Sequence, residues 1–307
     1  MAKRKLPIDI EPEFEQPQAA PQDPSAAQTG AEGPGGEGVE TEESYPPPPP
    51  NPMDEPPAYH PMVAAILAAG IFLTRLPFPL KGPLTPELFG RAMGWFPLIG
   101  AGLGIVAGIV FGLLGTFGVP SLVAATLVVA LLVMITGGLH EDGLADAADG
   151  LGGGQDRESK LEIMHDSRVG TFGVLALVLA VTIKVAAIAA LPSTWVAIKV
   201  LVLAGAMSRA AMVAQSHWQR PARTDGLSAT LGGPAQGATM LALALALGIG
   251  FLLFGVKAAL VMAVVLVAIW GMIRLTNHYV GGQTGDLLGA TQQVVEILVL
   301  VMMAGVR

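Results

Sequence analysis

Pro120-Ser-Leu-Val-Ala-Ala-Thr-Leu-Val-Val-Ala-Leu-Leu-Val-Met-Ile-Thr136-Gly-Gly-Leu-His-Glu-Asp-Gly-Leu-Ala-Asp-Ala-Ala-Asp-Gly150 decides what kind of molecule this chain is. Its first part, residues 120 to 139, is an uncharged apolar run of about the ~20 residues a helix needs to cross a bilayer. Its second part sets four carboxylates, Glu141, Asp142, Asp146 and Asp149, within nine residues. If the segment is helical, Asp142, Asp146 and Asp149 stand at i, i+4 and i+7 and share an arc of roughly 60° on one face. Like charges at that spacing repel, so the arrangement calls for a cation. Mg²⁺, which takes carboxylate and water oxygens and shares its shell with substrate phosphates, is the expected cofactor. Glu141 lies about 100° off the shared face and is expected to be solvated or to support the others.

The rest of the chain agrees with a membrane reading. Of 307 residues, 52% are hydrophobic and only 13% charged, and the mean hydropathy is +0.59, too apolar for an ordinary soluble domain. Apolar stretches of spanning length recur at about 93 to 117, 120 to 139, 171 to 191, 195 to 216, 237 to 255, 257 to 275 and 287 to 306. The expected fold is therefore all-α, a polytopic membrane helix bundle of about seven spans. An eighth apolar segment, 62 to 76, is short and ends in Thr74-Arg-Leu-Pro-Phe-Pro79; it either spans or re-enters. Cysteine is absent, which excludes disulfides, thiolate catalysis and Cys-ligated metals.

Two domains are expected: residues 1–60 as a disordered tail and 61–307 as an integral membrane domain. The tail is rich in Pro, Gly and Glu, contains the run Pro46 to Pro50, and holds twelve Asp or Glu against three Lys or Arg. It lacks the apolar content that offsets the entropy of folding and has no apolar signal-peptide core. In the membrane part, charge alternates between connections. Arg75, Lys81 and Arg91 share one, Arg157, Lys160 and Arg168 another, Arg220 and Arg223 a third, and Arg274 lies near the last. The intervening turns hold almost nothing but Lys257. By the positive-inside rule the basic loops, and the carboxylate cluster with them, face the cytoplasm; the expected location is the cell inner membrane.

Other polar groups stand out against this background. Met164-His-Asp-Ser-Arg-Val-Gly-Thr-Phe-Gly173 offers Asp166 as a metal ligand or ion-pair partner and Arg168 as a fork suited to phosphate. Gly281-Gly-Gln-Thr-Gly-Asp-Leu-Leu-Gly-Ala290 places Gly285 and Asp286 at the start of the last span, where backbone amides favour anions and Asp286 could equally cap the helix. Arg209, Lys184 and Glu296 fall inside apolar runs, where charge is costly and usually functional or paired; Lys184 could instead snorkel to the interface. Arg220, Arg223 and Asp225 form a loop that either binds an anionic substrate or merely obeys the positive-inside rule. His140, His165, His217 and His278 are scattered and form no His-Glu-x-x-His helix, and Gly150-Leu-Gly-Gly-Gly-Gln155 lacks the Gly-Lys-Ser/Thr ending of a P-loop. The glycines Gly100, Gly102, Gly104 and Gly108 suit close helix packing.

Together, the Thr136–Gly150 segment, the Asp-Ser-Arg-Val-Gly-Thr-Phe-Gly knot and Gly-Gly-Gln-Thr-Gly-Asp-x-x-Gly-Ala resemble the cobalamin synthase family, as do Phe78-Pro79 and Trp95-Phe-Pro-Leu-Ile-Gly100. The resemblance covers residues 62 to 307. His165 departs from the basic Lys or Arg usual there. What the resemblance implies is transfer of α-ribazole, or its 5′-phosphate, onto adenosylcobinamide-GDP with release of GMP, at a Mg²⁺-dependent membrane enzyme. On that basis Asp142, Asp146, Asp149 and Asp166 are expected to hold metal, and Asp142, Asp146, Arg168 and His140 to act in catalysis. Arg168, Arg209, Arg223, Gly285 and Asp286 are expected to bind substrate. The partners expected are the two substrates and the lipid bilayer, with no nucleic acid, and oligomeric state is left open. Asp142-Gly-Leu-Ala145 also partly mimics a CDP-alcohol phosphotransferase core, though Asp146 stands where that family has Arg; a cation-coupled transporter is the alternative from another class.

Overall fold

The computed structural model describes residues 59–224, 226 and 230–305. The acidic tail up to residue 58 and Asp225 lie outside the described residues. Within them the chain is helical, in the order α1 (Pro61–Leu73), α2 (Pro86–Ala92), a 3₁₀ turn (Met93–Trp95), α3 (Phe96–Thr116), α4 (Ser121–Thr136), α5 (Leu139–Gly153), α6 (Arg157–His165), α7 (Thr171–Ala189), α8 (Thr194–Trp218), α9 (Gln236–Phe254), α10 (Lys257–Val280) and α11 (Gly285–Gly305). The one piece of β pairing among these residues is an isolated parallel bridge between Pro221 and Gln283.

Among the described residues six helices are long and apolar enough to cross a membrane, and a bent pair makes up to seven, as the hydropathy pattern predicts. Large apolar side chains such as Ile109, Leu113, Leu179, Leu252 and Val267 point outward, a surface suited to lipid and not to water. The details depart from the pattern in three places. The span expected from about 93 begins at Pro86, because the Thr85 hydroxyl accepts the Leu88 amide at 3.2 Å and Pro86 occupies the first helical position, which needs no N–H. α1 has 13 residues and rises roughly 20 Å, less than the ~30 Å hydrocarbon core. The run at 120 to 139 is a 16-residue helix that turns through 91° into α5.

That bend has a local cause. Gly137 and Gly138 both have φ of +67°, the left-handed region that costs any residue with a β-carbon. Two such residues in succession end α4, with Gly138 N–H donating to Val133 C=O at 2.9 Å, and restart the chain at a right angle. The backbone amide of Arg75, just after α1, donates to Ile135 C=O at 2.7 Å, so α1 is stitched to the same corner.

α8 is the central post. Every residue from Val200 to Ser216 is buried, the condition of a helix with neighbours all round. α3 lies along it through Gly100, Gly104, Gly108 and Gly112. A β-carbon on Gly108 would sit 2.6 Å from Ile198 Cα, nearer than carbon atoms approach, so the small residues permit the contact. Gly102, on the other side of α3, meets nothing within 4 Å and takes no part in that packing. α11 and α5 pack on each other and bring the carboxylate segment against the last span.

Candidate functional site

The bend aims the first turn of α5 at the start of α11. Contact there is close because Gly143 and Gly289 face each other; a β-carbon on Gly143 would come within 2.9 Å of Asp286 C=O. Beside this crossing lies a cavity of about 210 Å³. One group of its lining residues is polar: His140 and Asp142 from α5, Arg223, Thr284, and Gly285 and Asp286 from α11. Another is apolar: Phe72, Phe89, Met93, Phe96 and Met212.

The polar group is assembled by backbone pairing. Gln283 N–H donates to Arg220 C=O at 3.0 Å and Ala222 N–H to Gln283 C=O at 2.8 Å, which clips the loop after α8 to the turn before α11. Arg157, counted in the sequence only as a loop charge, clamps the same junction: its Nε donates to Val280 C=O at 3.0 Å and its guanidinium also reaches Ala222 C=O. Arg223 Nη2 is thereby held 3.2 Å from Asp286 Oδ2. Thr284, not Asp286, caps α11, its hydroxyl accepting the Leu287 amide at 3.3 Å. The Asp286 carboxylate is left to the cavity, near enough to Asp142 for the two charges to repel.

The remaining carboxylates are spread more widely than one helical face suggests. Asp149 is buried, and its carboxylate accepts the Gly170 amide at 2.7 Å and the Gly173 amide at 2.9 Å; it closes the N-terminus of α7. Neither glycine has room for a β-carbon against that carboxylate. Asp146 is half-buried one turn beyond Asp142. Asp166 grips Arg168 at 2.7 Å in an exposed loop, which raises the guanidinium pKa further. These two line an outer depression together with His165, and Arg223 borders both this depression and the cavity. Among the described residues no three His, Asp or Glu gather closely enough to cage an ion.

Comparison with known proteins settles the relationship. Residues 65–304 match the cobalamin-5-phosphate synthase family. The chain belongs to that family. A protein of Bradyrhizobium diazoefficiens named adenosylcobinamide-GDP ribazoletransferase is 40% identical over 79% of this chain and 94% of its own length. Proteins of the same name from Sinorhizobium medicae and Allorhizobium ampelinum are 44% and 47% identical, over 75% and 68% of this chain and 91% and 83% of their own. No solved structure matches. The transferase class and the link to cobalamin biosynthesis, expected from the motifs, stand at the level of the family.

In this member of the cobalamin-5-phosphate synthase family, three charges from the apolar runs form a separate buried cluster. Arg209 donates to Glu296 at 2.8 Å and to Ser208 at 3.0 Å. Lys184 sits 3.2 Å from Glu141 and 3.5 Å from Glu296, so it is held inside the bundle and does not snorkel. Gln293 donates to Glu141 at 3.0 Å. Glu141 is therefore neither solvated nor idle, because its side of α5 faces α7 and α11. Arg209 does not line the cavity; with Lys184 and Glu296 it borders a small internal void, and His140 borders both spaces. The phenylalanines of the cavity were not singled out from sequence, since an apolar residue in an apolar helix carries no distinguishing signal.

A hard divalent cation fits the polar donors. Mg²⁺ is commonly held by one or two carboxylates, with substrate phosphates and water completing the shell. Asp142 and Asp286 supply two such groups on facing helices, and the Thr284 hydroxyl, 3.3 Å from Asp286, adds a neutral oxygen.

Proposed function

We propose that this chain joins α-ribazole, or its 5′-phosphate, to adenosylcobinamide-GDP, giving adenosylcobalamin, or its 5′-phosphate, and GMP. The observation that carries the reading is the convergence of Asp142, Asp286 and Arg223 on one cavity. A ribose hydroxyl oxygen forms a bond to the cobinamide-side phosphorus. The bridging P–O bond of the pyrophosphate breaks, and GMP leaves with the bridging oxygen. Charge gathers on the equatorial and leaving oxygens, so fixed positive groups are the main catalytic need.

Arg223 meets that need from the chain itself, its guanidinium held toward the cavity by Asp286 and able to take two phosphate oxygens at once. The imidazole of His140 takes the hydroxyl proton. Asp142 and Asp286 hold Mg²⁺, with Asp146 one turn along. A Mg²⁺ held by these residues would supply positive charge to the phosphate oxygens. The basic loops of Arg75, Arg157 and Arg223 are tied by their contacts to the cavity end of the bundle. By the positive-inside rule that end faces the cytoplasm of the inner membrane, where a nucleotide donor is available.

The test is direct. Full-length protein purified in detergent, supplied with adenosylcobinamide-GDP, α-ribazole and Mg²⁺, releases GMP and a cobalamin in equal amounts, and chelation stops both. GMP release that does not depend on α-ribazole, or activity that survives exhaustive chelation, overturns the reading.

A further inference from the structure

The chemistry above uses only the polar part of the cavity. Its other wall is aromatic and built by the short N-terminal elements. Phe72 of α1 stacks on Phe96 of α3 with centroids 5.5 Å apart and planes 9° from parallel, and Phe89 of α2 meets Phe72 edge-on at 4.9 Å. Met93 and Met212 border the same space, adding thioethers that conform to flat rings. Phe89 and Phe96 are almost fully buried, at 5% and 1% exposure, whereas Phe72 is only partly covered and turns to the cavity.

We propose that this wall is the seat of the acceptor's base, a flat bicyclic benzimidazole, with its ribose directed toward Asp142 and Asp286. The assignment rests on the transferase reading. Size is consistent with a small flat ring: an apolar cavity of about 150 Å³ takes a benzene ring, and the about 210 Å³ here, shared between the polar and aromatic walls, excludes a corrin macrocycle. The corrinoid half of the donor is left to the outer depression, which meets the cavity at Arg223.

Polarity separates this base from the donor's guanine. A guanine buried against the phenylalanines would leave its exocyclic amine and carbonyl without hydrogen-bond partners from that wall, and such groups are costly to desolvate. A benzimidazole carries no exocyclic polar group. α1 thus has a purpose that its length, too short to span, does not explain: it brings Phe72 to the site.

Phe72→Ala in the full-length protein tests the assignment. Two quantities are read: apparent KM for each substrate, and equilibrium binding of α-ribazole followed by benzimidazole fluorescence. Loss of one aromatic face is expected to weaken α-ribazole about tenfold in both KM and Kd, with the donor KM essentially unchanged. Phe72→Trp, which narrows the space, is expected to shift preference from dimethylbenzimidazole riboside to the unsubstituted benzimidazole riboside. Met212→Ala is read in the same way should Phe72→Ala fail to accumulate. A rise in donor KM with α-ribazole binding intact overturns the proposal and gives the wall to guanine. Should wild-type protein bind α-ribazole yet release no GMP, the transferase reading fails while the base site stands. Should it turn over normally with α-ribazole binding unchanged by both alanine variants, the base site alone fails.

Discussion

Glu141 and Asp142 are neighbours on α5, yet they serve different compartments. About 100° of helical rotation separates them. Glu141 turns into the bundle to meet Lys184 and Gln293, while Asp142 turns to the cavity. α11 repeats the division, with Asp286 at the cavity and Glu296 tied to Arg209 and Lys184. The inner set balances two carboxylates against two cations. The cavity set has two carboxylates and one arginine, an uneven charge on a surface that a ligand can reach. Matched charges in an apolar interior fix helix positions; unmatched charges at a cavity are available for chemistry.

Breaking the cavity set should abolish turnover and spare the fold. Asp142→Asn or Asp286→Asn is expected to lower kcat/KM for GMP release by about 10³-fold, the scale of losing a preorganised electrostatic group, with an unchanged melting temperature in detergent. Full activity in either variant would remove that carboxylate from the site. Unfolding of either would mean that the two sets are one.

Breaking the inner set should do the reverse. Lys184→Met leaves Glu141 and Glu296 facing each other in the interior, and removing one partner of a buried pair costs about 3–5 kcal/mol. The expected result is a large drop in thermal midpoint and in membrane accumulation. Any protein that does fold should retain near-normal KM values. Adding Glu141→Gln to Lys184→Met should restore part of the midpoint, since an apolar or neutral replacement of both partners is far cheaper than an orphaned charge. A Lys184→Met protein of normal stability but no activity would place this cluster in catalysis instead.

A smaller effect is expected at Asp149. The sequence grouped it with Asp142 and Asp146 by periodicity, which is blind to amides arriving from Gly170 and Gly173 more than twenty residues later. Asp149→Ala should cost about 1–2 kcal/mol, the range of a lost helix cap, seen as a lowered midpoint with activity preserved below it. A fall in activity with no loss of stability would return Asp149 to the metal.

Those residues mark what could be read in advance. Asp142 and Asp286 were legible because a charge beside an apolar span is conspicuous and costly, whereas Arg223 stood out only as a basic loop residue and His140 only through the family resemblance. The spans themselves followed from hydropathy. The right-angle turn at Gly137 and Gly138 did not, since paired glycines suit close packing as well as a left-handed turn. The aromatic wall was equally hidden, because Phe72, Phe89 and Phe96 read as ordinary apolar positions until three separate elements bring them together.

The least effect is expected at Arg168, and it bears on the comparison from outside both sets. The sequence made Arg168 a phosphate ligand, yet its side chain is 88% exposed and its fork is occupied by Asp166. An exposed ion pair contributes little to stability, so Arg168→Gln should leave the midpoint where it is. Its position on the outer depression, which Arg223 also borders, still allows it to meet the bulky donor as that substrate arrives. The expected signature is a modest rise in KM for adenosylcobinamide-GDP that steepens with ionic strength, as long-range attraction between exposed charges is screened by salt, with kcat unchanged. Arg223→Gln, in contrast, should lower kcat itself, because the charge it loses lies beside the reacting phosphates. If the two variants exchanged these signatures, the reacting pyrophosphate would sit in the outer depression, and the division drawn between Asp142 and Glu141 would no longer identify the active site.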